Sequence, residues 1–417
     1  MEYDSNALKI VVERAIKSKY YQKKLNESVI ENLHNLKLDE LPFTFKNDLT
    51  SIGKKDIITC DSDQSVNYHE SSGTSGVQSY SWLTRNDIIS NAKSILSRGI
   101  QIINSDNVLI RFPFSLSLPA YFMQETVYQS GANLIPASSR NSIATYPKVL
   151  SLLEELEVTV FAGLPRELEL LAETAKYTHT NFEKIKKNMR LIILSGELVT
   201  KNRIMHLEKL WNTPVRLMYG MTELGNIATH CEYGKFHFNS SDYFIEVFDD
   251  ELKNRKKEGE KGIAVVTSLN IEGSAKLRFV TNDIVSLHNN QCKCGTTDYE
   301  IRIHGRASER VVLNGLFYNS ADIHEIVYGL PKVPFDWKLK INEKHLVFYF
   351  QYETVKEINK QEIVRHLNNK IPNTEIKVYF VNNLFDIDTL LSNTVSVKPR
   401  YIENNHPSNT LENIMGN

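Results

Sequence analysis

Near the start of the chain Leu8, Val11, Val12, Ala15 and Ile16 recur at the spacing of one helix face, behind Asp4 and Ser5, either of which is suited to cap a first turn. An amphipathic helix is therefore predicted to open the chain. From about residue 106 short β-rich runs at 108–112, 158–161, 191–194 and 215–219 alternate with stretches long enough for crossover helices, such as 146–156 and 164–175. That order predicts a largely parallel sheet covered by helices. After about residue 260 the runs at 262–269, 277–280 and 299–303 follow one another without helices, which predicts an antiparallel subdomain. The section 338–384 has the pattern strand, strand, helix, strand, with 348–350 and 378–380 as strands and 361–367 as helix, and predicts a small α+β domain. Beyond Glu403 the chain is rich in Asn and Pro and is expected to fray.

A length of 417 residues favours two folded units over one. The 49 basic and 50 acidic residues leave a net charge of -1, so no electrostatic footprint points to nucleic acid or to an anionic membrane. No apolar run approaches the roughly 20 residues of a membrane helix, and Met-Glu-Tyr-Asp lacks the basic start of a secretory signal, so a cytoplasmic protein is expected. Four cysteines are too few for a disulfide framework. Three of them fall in two short segments, Cys231 with His237 and Cys292 with Cys294, and four such ligands suit a structural, tetrahedral Zn2+ with no position left open for water. Reduced thiols beside a surface histidine are the plainer alternative.

Two segments carry candidate chemistry. Ser71-Ser72-Gly73-Thr74-Ser75-Gly76 packs hydroxyls and glycines so that its amides can line a cradle for phosphate oxygens, although an ordinary mobile loop has the same composition. The Gly-x-x-x-x-Gly-Lys-Ser/Thr pattern is absent, which disfavours P-loop phosphoryl transfer. Tyr219-Gly220-Met221-Thr222-Glu223 follows an apolar strand, at the end where α/β folds bind ligands. There the Tyr219 ring can stack on a base, the Thr222 hydroxyl can reach a phosphate, and Glu223 can hold Mg2+.

In order and spacing, the Ser-rich loop, the Tyr-Gly-Met-Thr-Glu segment, Asp283 and Gly305-Arg306 resemble the motifs of the adenylate-forming superfamily of acyl-CoA synthetases and adenylation domains. The starts Ala15-Ile16-Lys17-Ser18-Lys19-Tyr20-Tyr21 and Asp39-Glu40-Leu41-Pro42-Phe43 resemble its phenylacetate-CoA ligase branch, and the likeness spans nearly the whole chain. The resemblance implies an α/β fold with two parts: a large adenylation domain, 1–306, with mixed sheets covered by helices, and a small mobile α+β domain, 307–417.

The implied activity is ATP-dependent conversion of a carboxylic acid to an acyl-adenylate, followed by transfer to the thiol of coenzyme A or of a carrier protein's phosphopantetheine. By the same resemblance Ser195-Gly196-Glu197 and Tyr219, with Gly220, flank the adenine, Thr222 touches the α-phosphate, Glu223 binds magnesium, and Asp283 holds the ribose with Arg306 beside it. Lys398, in Val395-Ser396-Val397-Lys398-Pro399-Arg400, is implied to offset charge at the phosphorus as pyrophosphate leaves. Phe114, Tyr121, Gly163 and Met221 are implied to line an acid pocket, favouring an aryl or small apolar acid, although core packing explains them equally well.

Two departures qualify the likeness. Val77-Gln78-Ser79 stands where a basic step usually follows the glycine loop, and Ser308 or Glu309 must replace the usual hinge aspartate. The hinge change leaves a catalytically silent nucleotide-binding protein as the rival reading, and the pattern leaves both the pathway (carrier-protein loading for a natural product or siderophore, or degradation) and the oligomeric state, a dimer included, open.

Overall fold

The computed structural model describes residues 4–31, 33, 36–61, 63–71, 78–97, 99–289, 291–313, 316–342, 345–391 and 401–404. The opening helix is Ser5–Ala15, and of the two candidate caps it is Asp4 that serves, its carboxylate accepting from the amides of Asn6 at 2.8 Å and Ala7 at 3.4 Å. Its apolar face, Leu8, Val11, Val12 and Ala15, is buried.

β1 (Ser65–Glu70) and β2 (Tyr80–Thr84) pair as a hairpin ahead of the main sheet. β3 (Asn107–Ile110), β4 (Asn133–Pro136), β5 (Val160–Gly163), β6 (Leu191–Leu194) and β7 (Val215–Met221) run parallel in the order β4-β3-β5-β6-β7. Helices Pro119–Ser130, Tyr146–Glu155, Pro165–Thr174 and Lys201–Trp211 supply the crossovers. Successive strand residues feed opposite layers: Val108 and Ile110 enter one core and Leu109 the other, as do Ile193 against Ile192 and Leu194.

At β7 the strand sense reverses. β8 (Gly225–His230), β9 (Phe236–Phe238), β10 (Tyr243–Phe248), β11 (Gly262–Ser268), β12 (Phe279–His288) and β13 (Glu300–Arg306) continue the same sheet in the order β7-β8-β9-β13-β12-β11-β10, each pair antiparallel. The antiparallel part thus begins well before residue 260, where the sequence pattern starts it. β8 and β10 are buried at every position, so no polar face alternates along them to reveal strands.

β14 (Val311–Leu313) and β15 (Leu316–Tyr318) form a second hairpin. β16 (Asp336–Ile341), β17 (His345–Gln351), β18 (Glu375–Phe380) and β19 (Ile402–Asn404) make a separate sheet in the order β18-β17-β16-β19. With helices Ser320–Tyr328 and Lys360–Lys370 they enclose a core that includes Ile323, Leu339, Phe348, Phe350 and Leu367, the predicted α+β pattern. Residues 405–417, expected to fray, lie outside the described residues. No described helix is long and apolar enough to cross a membrane.

An N-terminal strap secures the strand that carries Asp283. Thr44 bridges β12 beside Phe279, donating its amide to Arg278 O at 3.0 Å and accepting from Val280 N at 2.9 Å. Arg278, held at φ +43°, turns its buried guanidinium onto Glu246 (Nε to Oε2, 3.1 Å), onto Leu41 O at 2.9 Å, and over the Phe43 ring at 4.2 Å. Loss of Glu246 would strand the Arg278 guanidinium in the core, at about 3–5 kcal/mol, whereas Glu246 is also held by Arg255.

Lys276 precedes β12 and is fully buried, its ammonium donating to Ser274 O at 2.7 Å. Burial pushes its pKa down to about 7, against the pull of Glu223 and Asp87. The folded pKa lies below the unfolded one, so between pH 7 and 10.5 the unfolded chain holds more protons, and Lys276 makes stability rise with pH across that window. Lys276→Met is expected to remove about 1.4 kcal/mol per pH unit from that rise. Denaturant melts of both proteins at intervals from pH 7 to 10 measure the difference, and parallel curves would show that Lys276 titrates alike in the folded and unfolded chain.

Candidate active site

The ends of β6 and β7 lie side by side, Leu194 paired with Leu217, so Ser195 and Tyr219 leave the sheet as neighbours. The Ser195 amide donates to Gly163 O at 3.3 Å, and Gly196 takes φ +83°, where a side chain would be strained and a Cβ would stand 2.9 Å from Leu164. The buried carboxylate of Glu197 turns to Arg203, whose Nη2 donates to it at 3.3 Å.

β7 returns into β8 through a turn closed by Leu224 N donating to Met221 O at 3.2 Å. The strands approach so closely that a Cβ on Gly220 would lie 2.2 Å from Gly225 O, which no neighbouring backbone could yield. Glycine is required there. The turn leaves Thr222 half-buried and Glu223 buried at 6 % exposure, a hard oxygen donor suited to magnesium.

Opposite them, on β12, is Asp283. Tyr219 Oη donates to Asp283 Oδ2 at 2.7 Å, and the exposed Arg306, its register partner on β13, brings Nε to 3.6 Å from Oδ1. Burial raises the Asp283 carboxyl above its usual range, with Arg306 and the Tyr219 bond working against that shift. Burial and the adjoining carboxylate push the Tyr219 phenol well upward, so it remains a donor. Asn282, at φ +65°, turns the chain just before the aspartate. Three residues singled out separately in the sequence thus form one contact set.

The serine loop begins at Ser71, whose amide donates to Ser79 O at 2.8 Å and whose Oγ accepts from Ser79 N at 2.9 Å. Ser72, Gly73, Thr74, Ser75 and Gly76 lie outside the described residues, as does Lys398. Near the loop, Phe114 and Tyr121 meet edge to face at 5.8 Å, and Tyr121 Oη donates to Phe114 O at 2.6 Å. Gly163 is tightly held: a Cβ there would fall 2.8 Å from the Phe161 ring. Met221, Phe114 and Tyr121 all pack, half-buried, against the same core.

His69 escaped the sequence reading. It is buried on β1, packs against Tyr121 at 4.9 Å with Nδ1 3.3 Å from Leu116 O, and burial lowers its pKa, so the imidazole is neutral. A lone histidine in Asn67-Tyr68-His69-Glu70 carries no pattern beyond its nearness to Ser71. Also unforeseen is the buried pair of Arg111 and Glu167, Nε to Oε2 at 2.9 Å, whose Nη1 holds the carbonyls of Ala137, Ser138 and Ala144 at 2.6–2.9 Å and so shapes the loop after β4.

The cysteine set assembles as the spacing predicts. Cys231 follows β8, His237 lies in β9, and Cys292 and Cys294 sit in the turn from β12 to β13. Their ligand atoms all fall within 4.8 Å of one another. Cys231 Sγ is 3.9 Å from Cys292 Sγ, and Cys294 Sγ is 3.7 Å from His237 Nε2. A zinc tetrahedron has edges of about 3.8 Å between thiolates and about 3.6 Å from thiolate to imidazole. The donors therefore fit that ion.

The family described as AMP-binding enzyme matches residues 5–270. A phenylacetate-coenzyme A ligase of Thermus thermophilus is 21% identical over 325 residues, 75% of this chain and 72% of its own length. Another, from Pseudomonas putida, is 24% identical over 309 residues, 71% of this chain and 67% of its own. The crystal structure of a 2-hydroxyisobutyryl-CoA ligase in the postadenylation state, in complex with 2-HIB-AMP, is 18% identical and superposes with a TM-score of 0.84 over 96% of this chain and 88% of its own. In the thioesterification state with 2-HIB-AMP and CoA, the same ligase is 17% identical and gives 0.68 over 99% and 90%. The chain belongs to the AMP-binding enzymes, the adenylate-forming superfamily, on its phenylacetate-CoA ligase-like branch.

Proposed function

We propose that the chain is an AMP-forming acid–CoA ligase that activates a small carboxylic acid with ATP and passes the acyl group to coenzyme A. The observation that carries this reading is the buried Asp283 carboxylate, gripped by Tyr219 and faced by Arg306, beside the hairpin that presents Thr222 and Glu223. Asp283 accepts the ribose hydroxyls, and the Tyr219 ring lies along the base as its hydroxyl yields the carboxylate to the ribose. Thr222 donates to the α-phosphate. Glu223 would hold magnesium, which supplies positive charge against the phosphates. Lys398 approaches from the C-terminal domain to offset the charge that grows at the α-phosphorus. The acid carboxylate attacks that phosphorus, pyrophosphate leaves, and the thiol then attacks the acyl carbonyl while AMP departs.

The two steps share one pocket, so the small domain from residue 307 turns between them. The single turn Ala307–Glu309, directly after Arg306, supplies the hinge at Ser308 or Glu309. Coenzyme A is preferred over a carrier protein as acceptor because the matching relatives are named as CoA ligases. The aromatic pair Phe114 and Tyr121 supports an aryl or small apolar acid. Zinc bound by Cys231, His237, Cys292 and Cys294 would tie the β8–β9 turn to the β12–β13 turn, and with four protein donors it has a structural role.

Acid-dependent exchange of labelled pyrophosphate into ATP, across aryl and aliphatic acids, tests the first step; exchange with none of them would sink the enzyme reading. Asp283→Asn is expected to raise the KM for ATP at least roughly tenfold, the worth of a hydrogen bond to a charged group. Lys398→Ala should abolish exchange yet spare thioester formation from a supplied acyl-adenylate, and equal loss of both halves would remove Lys398 from the first step. Metal analysis should find one zinc per chain, lost in Cys292→Ser, whereas metal-free wild-type protein would refute the site.

A further inference from the structure

Between the large sheet and the C-terminal layer of β16–β19 lies a buried ionic knot to which the steps above assign no part. Helices Pro165–Thr174 and Lys201–Trp211 bring Arg166, Glu169 and Arg203 together out of solvent, Arg203 at 0 % exposure. Arg203 Nε donates to Glu169 Oε1 at 2.9 Å, its Nη1 to Leu198 O at 3.0 Å, and its Nη2 to Glu197 at 3.3 Å. Arg166 Nη1 donates to Glu169 Oε2 at 3.2 Å. Although burial pushes the Glu169 carboxyl up, the two guanidinium groups hold its pKa at about 2.

The C-terminal layer inserts aromatic groups into this knot. Tyr328 Oη donates to Glu169 Oε1 at 2.9 Å, and the Arg203 guanidinium lies 5.2 Å from the Tyr328 ring and 5.9 Å from Tyr401. Phe335 offers its carbonyl to Arg166 Nη1 at 2.7 Å and its ring at 4.9 Å. Tyr401 stacks on Trp337 at 4.6 Å.

Two properties distinguish this contact from a permanent core. The charges balance within the large unit, two arginines against Glu169 and Glu197, while the C-terminal side brings neutral groups and one carboxylate, Asp336, 3.6 Å from Arg166. Separation therefore strands no charge on the large unit. In addition Tyr401 Oη, Trp337 Nε1 and His324 Nδ1 are buried in the contact without hydrogen-bond partners among the described residues. Each weakens a permanent interface and would gain water on opening.

We propose that Arg203 is a positioning residue: with Glu169 it forms a socket that seats Tyr328 and Tyr401, and through Glu197 it joins docking of the C-terminal layer to the nucleotide pocket. The step assigned to the docked form rests on the ligase reading above. Docked, Arg203 is confined by rings and carboxylates on both sides and keeps Glu197 in place for ATP. Undocked, the fork is hydrated and Glu197 loosens, which favours release of nucleotide after the acyl group has moved on. Docking accordingly serves adenylation.

Arg203→Lys keeps the charge and loses the fork. It is expected to raise the KM for ATP in pyrophosphate exchange and lower the exchange rate, together roughly tenfold or more, while thioester formation from supplied acyl-adenylate and coenzyme A stays within about twofold. Tyr328→Phe removes one hydroxyl and should give the same split in milder form, which covers the case in which Arg203→Lys fails to fold. Equal loss in both half-reactions, or no change in either variant, would overturn the socket. Small-angle scattering provides a readout independent of the acid: both variants should shift toward the separated arrangement. If wild-type protein exchanges no pyrophosphate, the ligase reading fails by itself, and the scattering still decides the socket, unchanged curves overturning it.

Discussion

The bond from Tyr219 to Asp283 is the constraint around which the large sheet is arranged. The two residues stand on β7 and β12, four strand steps apart in the order β7-β8-β9-β13-β12. In a flat sheet four steps span about 19 Å, far beyond the reach of a tyrosine. The sheet must therefore curl between β7 and β12 until the faces of these two strands approach each other. The strand in the middle makes this possible: β9 has three residues and pairs with β13 only through His237 and Glu300, so beyond that short ladder the flanking strands are free to close over a crevice. The cysteine set gathers at this same weak seam, where the turn after β8 meets the turn before β13.

The strap 41–45 and the irregular stretch 281–283 of β12 complete that arrangement from the other side. Arg278 donates through Nε and Nη2 to Glu246 and through Nη1 to Leu41 O and lays its face on Phe43, which fixes the beginning of β12 ahead of Asp283. The ribose candidate is thus held by neutral geometry at one end and by a buried ion pair at the other. A carboxylate that must wait, dehydrated, for a ligand needs such support, because burial alone drives it toward the protonated form.

Much of this was legible in the residues, for identifiable reasons. The alternation of β3, β5, β6 and β7 with apolar helices is a local pattern, and local patterns survive in sequence; so does the crowding of three cysteines into two segments. β8 and β10 were not legible, because strands buried on both faces lose the polar alternation that marks them. Lys276, Arg203 and His69 were not legible either. Each is a polar residue whose burial is imposed by distant segments, and an isolated lysine or a mid-helix arginine has the same local signature whether it meets solvent or core. The motif around Tyr219 lay between these cases: its resemblance was visible, but its direct bond to Asp283 depends on the curl of the sheet.

The unequal placement of charge in the knot between the two layers has a consequence for how the chain tolerates substitution. Arg166, Arg203, Glu169 and Glu197 balance one another within the large unit, so removing any one leaves the buried set unbalanced by one charge and favours a second change nearby. Tyr401, backed by Trp337, meets them through its ring, and rings of similar size replace one another singly, whereas Tyr328 also commits its hydroxyl to Glu169. Drift across this contact is thus asymmetric: paired and slow on the ionic side, single and permissive on the aromatic side.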